Sequence, residues 1–180
     1  MHISFRVSFS LLVFASLLTC GFTPAAHAAG PGGDVFFGYS RLGSNAFYPN
    51  VGGLNGWDLD GQLRLRKFLG VEGDVSHYGL GAPATTPRTT AVLFGPRVTM
   101  GVPLVRIFVR AMVGGEHSAN SGGPVQVSGG AMAVDFGEGV DFHFAPILAW
   151  RVAEDYLNAP GSTPGSGSHV RFTTGLDIRF

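Results

Sequence analysis

The chain has 180 residues, of which 45% are apolar and only 13% are charged, and its formal net charge is zero. This balance excludes nucleic-acid binding that depends on bulk positive charge, and it also excludes an acidic disordered tail. Glycine is unusually frequent, with 28 residues, so the composition is unlike that of a soluble helical enzyme. We expect a single folded domain at this length.

The N-terminal segment has the pattern of a secretory signal peptide. An apolar run with the length of a signal core spans residues 8–18, and Ala26 and Ala28 form a small-x-small cleavage motif. The run is too short for a membrane-spanning anchor, which needs about 20 residues. We therefore predict a signal peptide over residues 1–28 and an exported domain over residues 29–180.

Beyond the signal segment, the hydrophobic pattern has a period of two and contains no run long enough for a transmembrane helix. Between Val170 and Phe180 every second residue is apolar, and the residues between are polar or small. Because side chains alternate between the faces of a strand, this pattern predicts a strand with one apolar face. Similar patterns predict eight strands, over residues 34–42, 56–66, 68–78, 88–100, 105–117, 129–142, 147–157 and 169–180. Pro96 removes a ladder donor from the fourth strand, so we expect a bulge there.

The connections between these strands alternate between long and short. The long ones span residues 43–55, 79–87, 118–128 and 158–168, and the short ones span residues 66–68, 101–104 and 143–146. Eight strands with long loops at one end and short turns at the other are typical of an eight-stranded antiparallel up-and-down transmembrane β-barrel. Both ends of the barrel domain are then expected on the short-turn side.

The facing of the apolar side chains separates a soluble barrel from a membrane barrel. A soluble lipocalin-like barrel has its apolar face inside, whereas an outer-membrane barrel has it outside. The basic residues of the predicted strands are all arginine, which suits desolvated bidentate ion pairs better than lysine does. Glycine occurs on the polar face at Gly137, Gly139 and Gly175, as a crowded interior requires, and aromatic residues near the strand ends suit membrane interfaces. These features favour the membrane barrel.

An eight-stranded barrel leaves an interior that side chains fill. We therefore predict that the charged residues on the polar face form a structural network of ion pairs in the lumen, because buried charges must be paired. A narrow ion path through the lumen is the alternative. The predicted lumen residues are Asp58, Asp60, Arg64, Arg66, Glu72, Asp74, Arg97, Arg110, Asp135, Asp141, Arg151, Asp155, Arg171, Asp177 and Arg179.

The order and spacing of several short stretches resemble the small OmpA-like outer-membrane β-barrel proteins of bacteria. These stretches are residues 37–40, 55–57, 68–74, 94–97, 131–141, 155–157 and 172–180. The resemblance implies an outer-membrane location and folding through the barrel assembly machinery, which reads a C-terminal aromatic signal that here comprises Leu176, Ile178 and Phe180. It implies no particular ligand, and we expect a monomer surrounded by outer-membrane lipid, without a cofactor and without a peptidoglycan-binding domain after the barrel.

Other outer-membrane barrels are lipid-modifying enzymes that use serine and histidine. The candidates are His117, Ser118 and Asn120. Adjacent strand residues point to opposite faces, so His117 and Ser118 are not expected to form a nucleophile–base pair. The resembled deacylase pattern has one residue between His and Ser, and this chain departs from it. The sequence therefore predicts no enzyme.

The histidine residues and the first long loop are two further candidate sites. His77, His143 and His169 show no spacing typical of metal ligands, so the sequence predicts no metal site. In the first long loop, residues 45–50 include two aromatic side chains and form either an adhesive tip or only a solvated loop.

Overall fold

The computed structural model describes residues 32–43, 53–82, 86, 88–120, 127–160 and 167–180. These residues form a closed antiparallel barrel in which each strand pairs with the next and the last strand pairs with the first. The strands are β1 (Gly33–Leu42), β2 (Leu54–Arg64), β3 (Leu69–Tyr78), β4 (Arg88–Gly101), β5 (Val105–Asn120), β6 (Val127–His143), β7 (Leu148–Ala159) and β8 (Gly167–Arg179). The predicted fold class is confirmed. The predicted signal peptide lies outside the described residues.

Among the described residues, no helix has the length and apolar character needed to span a membrane.

The alternation of side chains gives the barrel an apolar exterior and a polar interior. Phe37, Phe94 and Met132 point outward and are 62%, 62% and 71% exposed, whereas the charged residues of the opposite parity are buried. Exposure of so many large apolar side chains is incompatible with a soluble barrel, whose apolar face lies inside. The lipocalin-like alternative is therefore wrong.

The strand ends differ from the predicted ones by a few residues. β2 ends at Arg64, because the backbone N–H groups of Leu65 and Arg66 both donate to the carbonyl of Leu69, at 2.9 Å each, and close a tight turn. β5 and β6 continue beyond the predicted bounds, to 16 and 17 residues, and extend the barrel wall on the long-loop side. The polar–apolar alternation does not mark these ends, because it continues through turn residues and fades in glycine-rich segments.

The bulge expected at Pro96 is absent, and that expectation was wrong. Pro96 lies directly opposite Val71 of β3, in the same register as its neighbours. On the β5 side, pairing is interrupted after Phe94 and resumes at Arg97 without any change of register. The strand thus tolerates the missing N–H donor by leaving a gap in one ladder, and the ring of Pro96 points outward.

The apolar exterior carries one pair of acidic residues. Glu138 of β6 and Glu154 of β7 lie directly opposite each other in the ladder, and both side chains are exposed. Like charges at opposing positions destabilise a sheet, and charged groups on the lipid side of a barrel are costly.

Candidate functional site: the charged lumen

The centre of the lumen contains four arginine side chains that are almost completely removed from solvent. Arg97, Arg110, Arg151 and Arg171 come from β4, β5, β7 and β8, and all have side-chain exposures of 0%. Each lies on the inward parity of its strand, so the alternation that exposes apolar side chains also directs the guanidinium groups inward. Burial of these charges requires ion pairs and hydrogen bonds around each of them.

Arg151 connects carboxylates from four strands. Its Nε donates to Asp141 Oδ1 at 2.7 Å, and its Nη2 donates to Asp177 Oδ1 at 2.8 Å. Longer contacts join Nη2 to Asp34 at 3.3 Å and Nη1 to Asp60 at 3.4 Å. The guanidinium group therefore ties β1, β2, β6 and β8 to β7 through a single side chain.

Arg97 and Arg110 share the carboxylate of Glu72. Arg110 Nη1 donates to Glu72 Oε1 at 2.6 Å, and Arg97 Nη1 lies 3.4 Å from Glu72 Oε2. Arg110 also makes a bidentate pair with Asp155, at 2.8 Å for both bonds. Arg97 Nη2 donates to Asp141 at 3.0 Å, so Asp141 joins Arg97 to Arg151.

Arg171 completes the network on the long-loop side. Its Nη1 donates to Asp74 at 2.8 Å, its Nε donates to Asp155 at 3.1 Å, and its Nη2 lies 3.4 Å from Asp135. Because Asp155 also pairs with Arg110, all four guanidinium groups belong to one continuous network.

Two aromatic rings lie among these charges. The guanidinium carbon of Arg97 lies 3.7 Å from the ring centroid of Phe108, and that of Arg151 lies 5.0 Å from the same centroid. Arg151 also lies 5.0 Å from the centroid of Phe36. Cation–π contacts of this kind are favourable in a desolvated site, and the rings fill volume that no polar group could occupy without a partner.

The buried charges do not balance. Among the described residues, ten carboxylates are buried, against the four arginines of the network. The ten are Asp34, Asp58, Asp60, Glu72, Asp74, Glu116, Asp135, Asp141, Asp155 and Asp177. Even with the half-buried inward arginines at the short-turn mouth, Arg64, Arg106 and Arg179, the lumen has ten carboxylates for seven guanidinium groups and so a surplus of negative groups.

Three of these carboxylates form a cluster. Asp58, Asp60 and Asp74 each offer an oxygen, and these oxygens lie within 4.8 Å of one another. Asp60 lies directly opposite Asp74 in the β2–β3 ladder, and Asp58 is two residues away on the same face. The sequence predicts no metal site, because that prediction considered histidine spacing and not the register of two strands.

An apolar layer lies between the charged network and the long loops. It contains Leu42, Tyr78, Ala91, Leu93, Met112, Ala133, Leu157 and Ala159. Leu42, Tyr78 and Ala159 are the last residues of β1, β3 and β7, which end on the long-loop side. Within the described residues, the lumen therefore has a charged half toward the short turns and a more apolar half toward the loops, which also contains buried polar residues such as Glu116, Ser118 and His169.

The inward glycines make room for the network. A Cβ atom on Gly137 would collide with Asp155 Oδ1, and one on Gly139 would lie 2.7 Å from Phe108 Cε1. The predicted role of glycine in a crowded interior is therefore confirmed at these two positions.

The structure brings most of the predicted lumen residues together, with three exceptions at the short-turn end. Arg66 lies exposed in the turn after β2, so its prediction as a lumen residue is corrected. Arg64 and Arg179 lie on inward positions at the barrel mouth but are half-buried, and neither forms an ion pair with another described residue. Asp34, which the sequence prediction omitted, is 5% exposed and contacts both Arg97 and Arg151.

The remaining candidates lie apart. His117 is exposed on the outer face whereas Ser118 is buried, so the two point to opposite faces as expected; the side chain of Asn120 lies outside the described part. His77 bonds to Thr90 at 2.8 Å on the exterior. His169 Nδ1 donates to the carbonyl of Gly43 at 3.1 Å, and His143 lies buried at the short-turn end. Residues 45–50 lie outside the described residues.

The fold and the inverted polarity define a transmembrane β-barrel of the outer-membrane type. The sequence matches no protein-family model and no curated protein. Among solved structures it is similar to Neisserial surface protein A, with 13% identity, a TM-score of 0.64, and coverage of 86% of this chain and 100% of that one. It is also similar to Ail, the attachment invasion locus protein of Yersinia pestis, with 17% identity, a TM-score of 0.59, and coverage of 84% and 100%. The N-terminal β-barrel domain of Pseudomonas aeruginosa OprF shares 14% identity, with a TM-score of 0.59 and coverage of 83% and 97%.

Sequence identities this low establish the fold and nothing finer. The resemblance to OmpA-like barrels that the sequence predicts is therefore confirmed for the fold. The apolar exterior independently requires a lipid bilayer around the barrel, and closed barrels of this kind span bacterial outer membranes. The predicted outer-membrane location is thereby confirmed.

Proposed function

We propose that the protein is a plugged outer-membrane barrel with a structural or surface-interaction role. The observation that carries this proposal is the filled lumen, which combines a continuous ion-pair network with an apolar layer. Such an interior rigidifies the wall and fills the described part of the lumen with side chains. The activity of the protein then lies on its long loops, which face the cell exterior in barrels of this type.

The similar structures support a role at the cell surface. Neisserial surface protein A and the attachment invasion locus protein Ail share the fold; the first name refers to a surface and the second to attachment and invasion. The long connections of this chain lie at one end of the barrel, between β1 and β2, β3 and β4, β5 and β6, and β7 and β8. We assign any interaction with external molecules to that end.

Assembly is proposed to follow the route of other outer-membrane barrels. Leu176 and Ile178 point outward from β8, Phe180 follows its last residue, and the three side chains are 44%, 49% and 72% exposed. This row of apolar side chains is available to the barrel assembly machinery, which reads a C-terminal aromatic signal. The mature barrel is proposed to act as a monomer in outer-membrane lipid, without a cofactor and without a catalytic role.

A conductance measurement together with surface proteolysis tests the proposal. Protein extracted from outer membranes and inserted into a planar lipid bilayer is expected to give no steady conductance, because both halves of the lumen are filled. Protease added to intact cells is expected to cut in residues 158–168 and to leave the strands whole. Steady, ion-selective conductance would contradict the plugged lumen, and complete protection of the loops would contradict their exposure to the exterior.

A narrow cation path is the second candidate, and the surplus of buried carboxylates favours it. Cations would be attracted to the charged half, but the apolar layer would then have to open. In the same bilayer measurement, cation-selective current that rises when Leu93 is replaced with serine would support this candidate over the first.

A further inference from the structure

The carboxylate cluster of Asp58, Asp60 and Asp74 is unusual because the network does not satisfy it. Asp58 has 0% exposure, and neither of its carboxylate oxygens has a hydrogen-bond partner among the described residues. Its nearest cationic group is Arg171 Nη1, at 3.9 Å from Oδ2, which is too far for a hydrogen bond. A buried carboxylate without a donor is strongly unfavourable, so this position favours a ligand of positive charge.

The two other carboxylates of the cluster are satisfied on one side only. Asp60 uses Oδ2 for Arg110, at 3.0 Å, and Asp74 uses Oδ2 for Arg171, at 2.8 Å. The Oδ1 atoms of both residues have no hydrogen-bond partner. Together with Asp58, the cluster therefore presents four buried oxygens that no described donor reaches.

The register between β2 and β3 makes the carboxylate cluster destabilising unless a positive charge neutralises it. Asp60 and Asp74 occupy directly opposing positions on the inner face, where like charges destabilise strand pairing. The lumen as a whole has ten buried carboxylates for four buried arginines. The two arginines that reach the cluster, Arg110 and Arg171, also pair with Asp155 outside it. The opposing register, the oxygens without donors and the charge surplus are separate observations, and all three favour a bound cation.

We propose that Asp58, Asp60 and Asp74 bind a calcium ion inside the barrel. The free ligand atoms are all carboxylate oxygens, which are the ligands of hard divalent cations. One oxygen from each residue lies within 4.8 Å of those from the other two, which is compatible with shared ligation at the Ca²⁺ distance of about 2.3–2.6 Å. Ca²⁺ also accepts irregular ligand sets, whereas Mg²⁺ demands near-ideal octahedral geometry.

The bound ion would link β2 to β3 and neutralise part of the charge surplus. The apolar layer that includes Leu93 and Met112 covers the charged half on the loop side, so the ion is enclosed when the barrel closes. Its binding is therefore coupled to folding, and it stabilises the folded barrel by mass action. This inference does not depend on the proposed surface role.

The test measures retained calcium after refolding. The full chain, purified from outer membranes in detergent, is unfolded in urea with chelator and refolded with calcium chloride or with sodium chloride alone. After passage over a chelating resin, elemental analysis is expected to find about one calcium ion per folded chain, and calcium is expected to raise the thermal midpoint of unfolding.

Asp58→Asn is the decisive variant, because Asp58 bonds to no arginine and its replacement leaves no guanidinium group without its hydrogen bond. It is expected to reduce retained calcium to about a tenth or less, since affinity follows the charge of the ligand set. Glu116→Gln is the matched control: Glu116 is also buried, accepts from Ser118 at 3.4 Å and lies outside the cluster. This control is expected to retain calcium like the unmodified chain.

Two results would overturn the proposal. The first is a folded, unmodified chain that retains no calcium and has the same thermal midpoint in both salts, which would show that the cluster is neutralised by bound protons. The second is folded Asp58→Asn protein that retains as much calcium as the Glu116→Gln control. Heat-modifiable gel migration establishes in each case that the barrel is folded, and the unmodified chain alone decides the question if the variant does not fold.

Discussion

Replacing Arg151 with leucine tests whether the lumen charges act as one network. Arg151 contacts Asp34, Asp60, Asp141 and Asp177. Asp141 and Asp34 keep Arg97 as a partner after the change, and Asp60 keeps Arg110. Only Asp177 loses its sole ion pair, so the structure predicts one orphaned buried carboxylate. Breaking a buried ion pair on one side costs about 3–5 kcal/mol.

The assay is equilibrium unfolding in urea, with the barrel in phospholipid vesicles and tryptophan fluorescence as the signal. Adding Asp177→Asn to Arg151→Leu is expected to restore about 0.5–3 kcal/mol, because residues of one network have coupling free energies of this size. Arg66→Leu is the control, since Arg66 lies exposed in a turn. If Arg151→Leu unfolds at the same urea concentration as the control, or if the second substitution restores nothing, the lumen charges do not stabilise the barrel as one network.

Three further predictions concern the wall of the barrel. Leu176→Arg is expected to lower the free energy of unfolding by about 2–4 kcal/mol in the same assay if the site lies near mid-membrane. A spin label at residue 176 should be relaxed by lipid-soluble oxygen. A label that only water-soluble reagents reach would contradict the outward orientation of this side chain. Glu138→Leu is expected to raise the free energy of unfolding by roughly 1 kcal/mol, because it removes a like-charge pair from the lipid side; a loss of stability would show that this carboxylate has a favourable partner. Gly137→Ala is expected to destabilise the barrel, because its Cβ would collide with a lumen carboxylate. Gly61→Ala is the control, since no atom lies within 4 Å of the new methyl group, and it should unfold like the unmodified chain. Equal unfolding curves for the two variants would contradict the close packing of the lumen around Gly137.

The fold could be predicted because the side of a strand to which each side chain points is set by its position within that strand alone. In β8, the residues from Val170 to Ile178 alternate cleanly, so each side chain can be assigned to a face without knowledge of any other strand. The same alternation assigned most of the buried arginines and carboxylates to the interior. It failed at Arg66, because the pattern continues past the end of β2 and sequence alternation contains no information on where a strand stops.

Two features of the lumen were not predictable from alternation. β1 is apolar on both faces, with Phe37 outside and Phe36 and Leu42 inside, so neither the inward Asp34 nor the apolar layer stood out in the sequence. The carboxylate cluster depends on the register between β2 and β3, which a single-strand pattern does not determine. Contacts between strands distant in sequence, such as Arg151 with Asp34, depend on barrel closure in the same way.

The long sequence separations within the lumen network have a consequence for the order of folding. Arg151 and Asp34 are 117 residues apart, Arg171 and Asp74 are 97 apart, and Arg110 and Asp60 are 50 apart. Contacts between residues so far apart in sequence form late and slow the folding of a chain. Until β1 meets β8, the charged side chains remain open to water on the unsealed side, and their dehydration occurs together with closure. The barrel is therefore expected to lose most of its lumen water in a single late step. A sheet that has not yet closed would have hydrated charged side chains on its inner face and apolar side chains on its outer face.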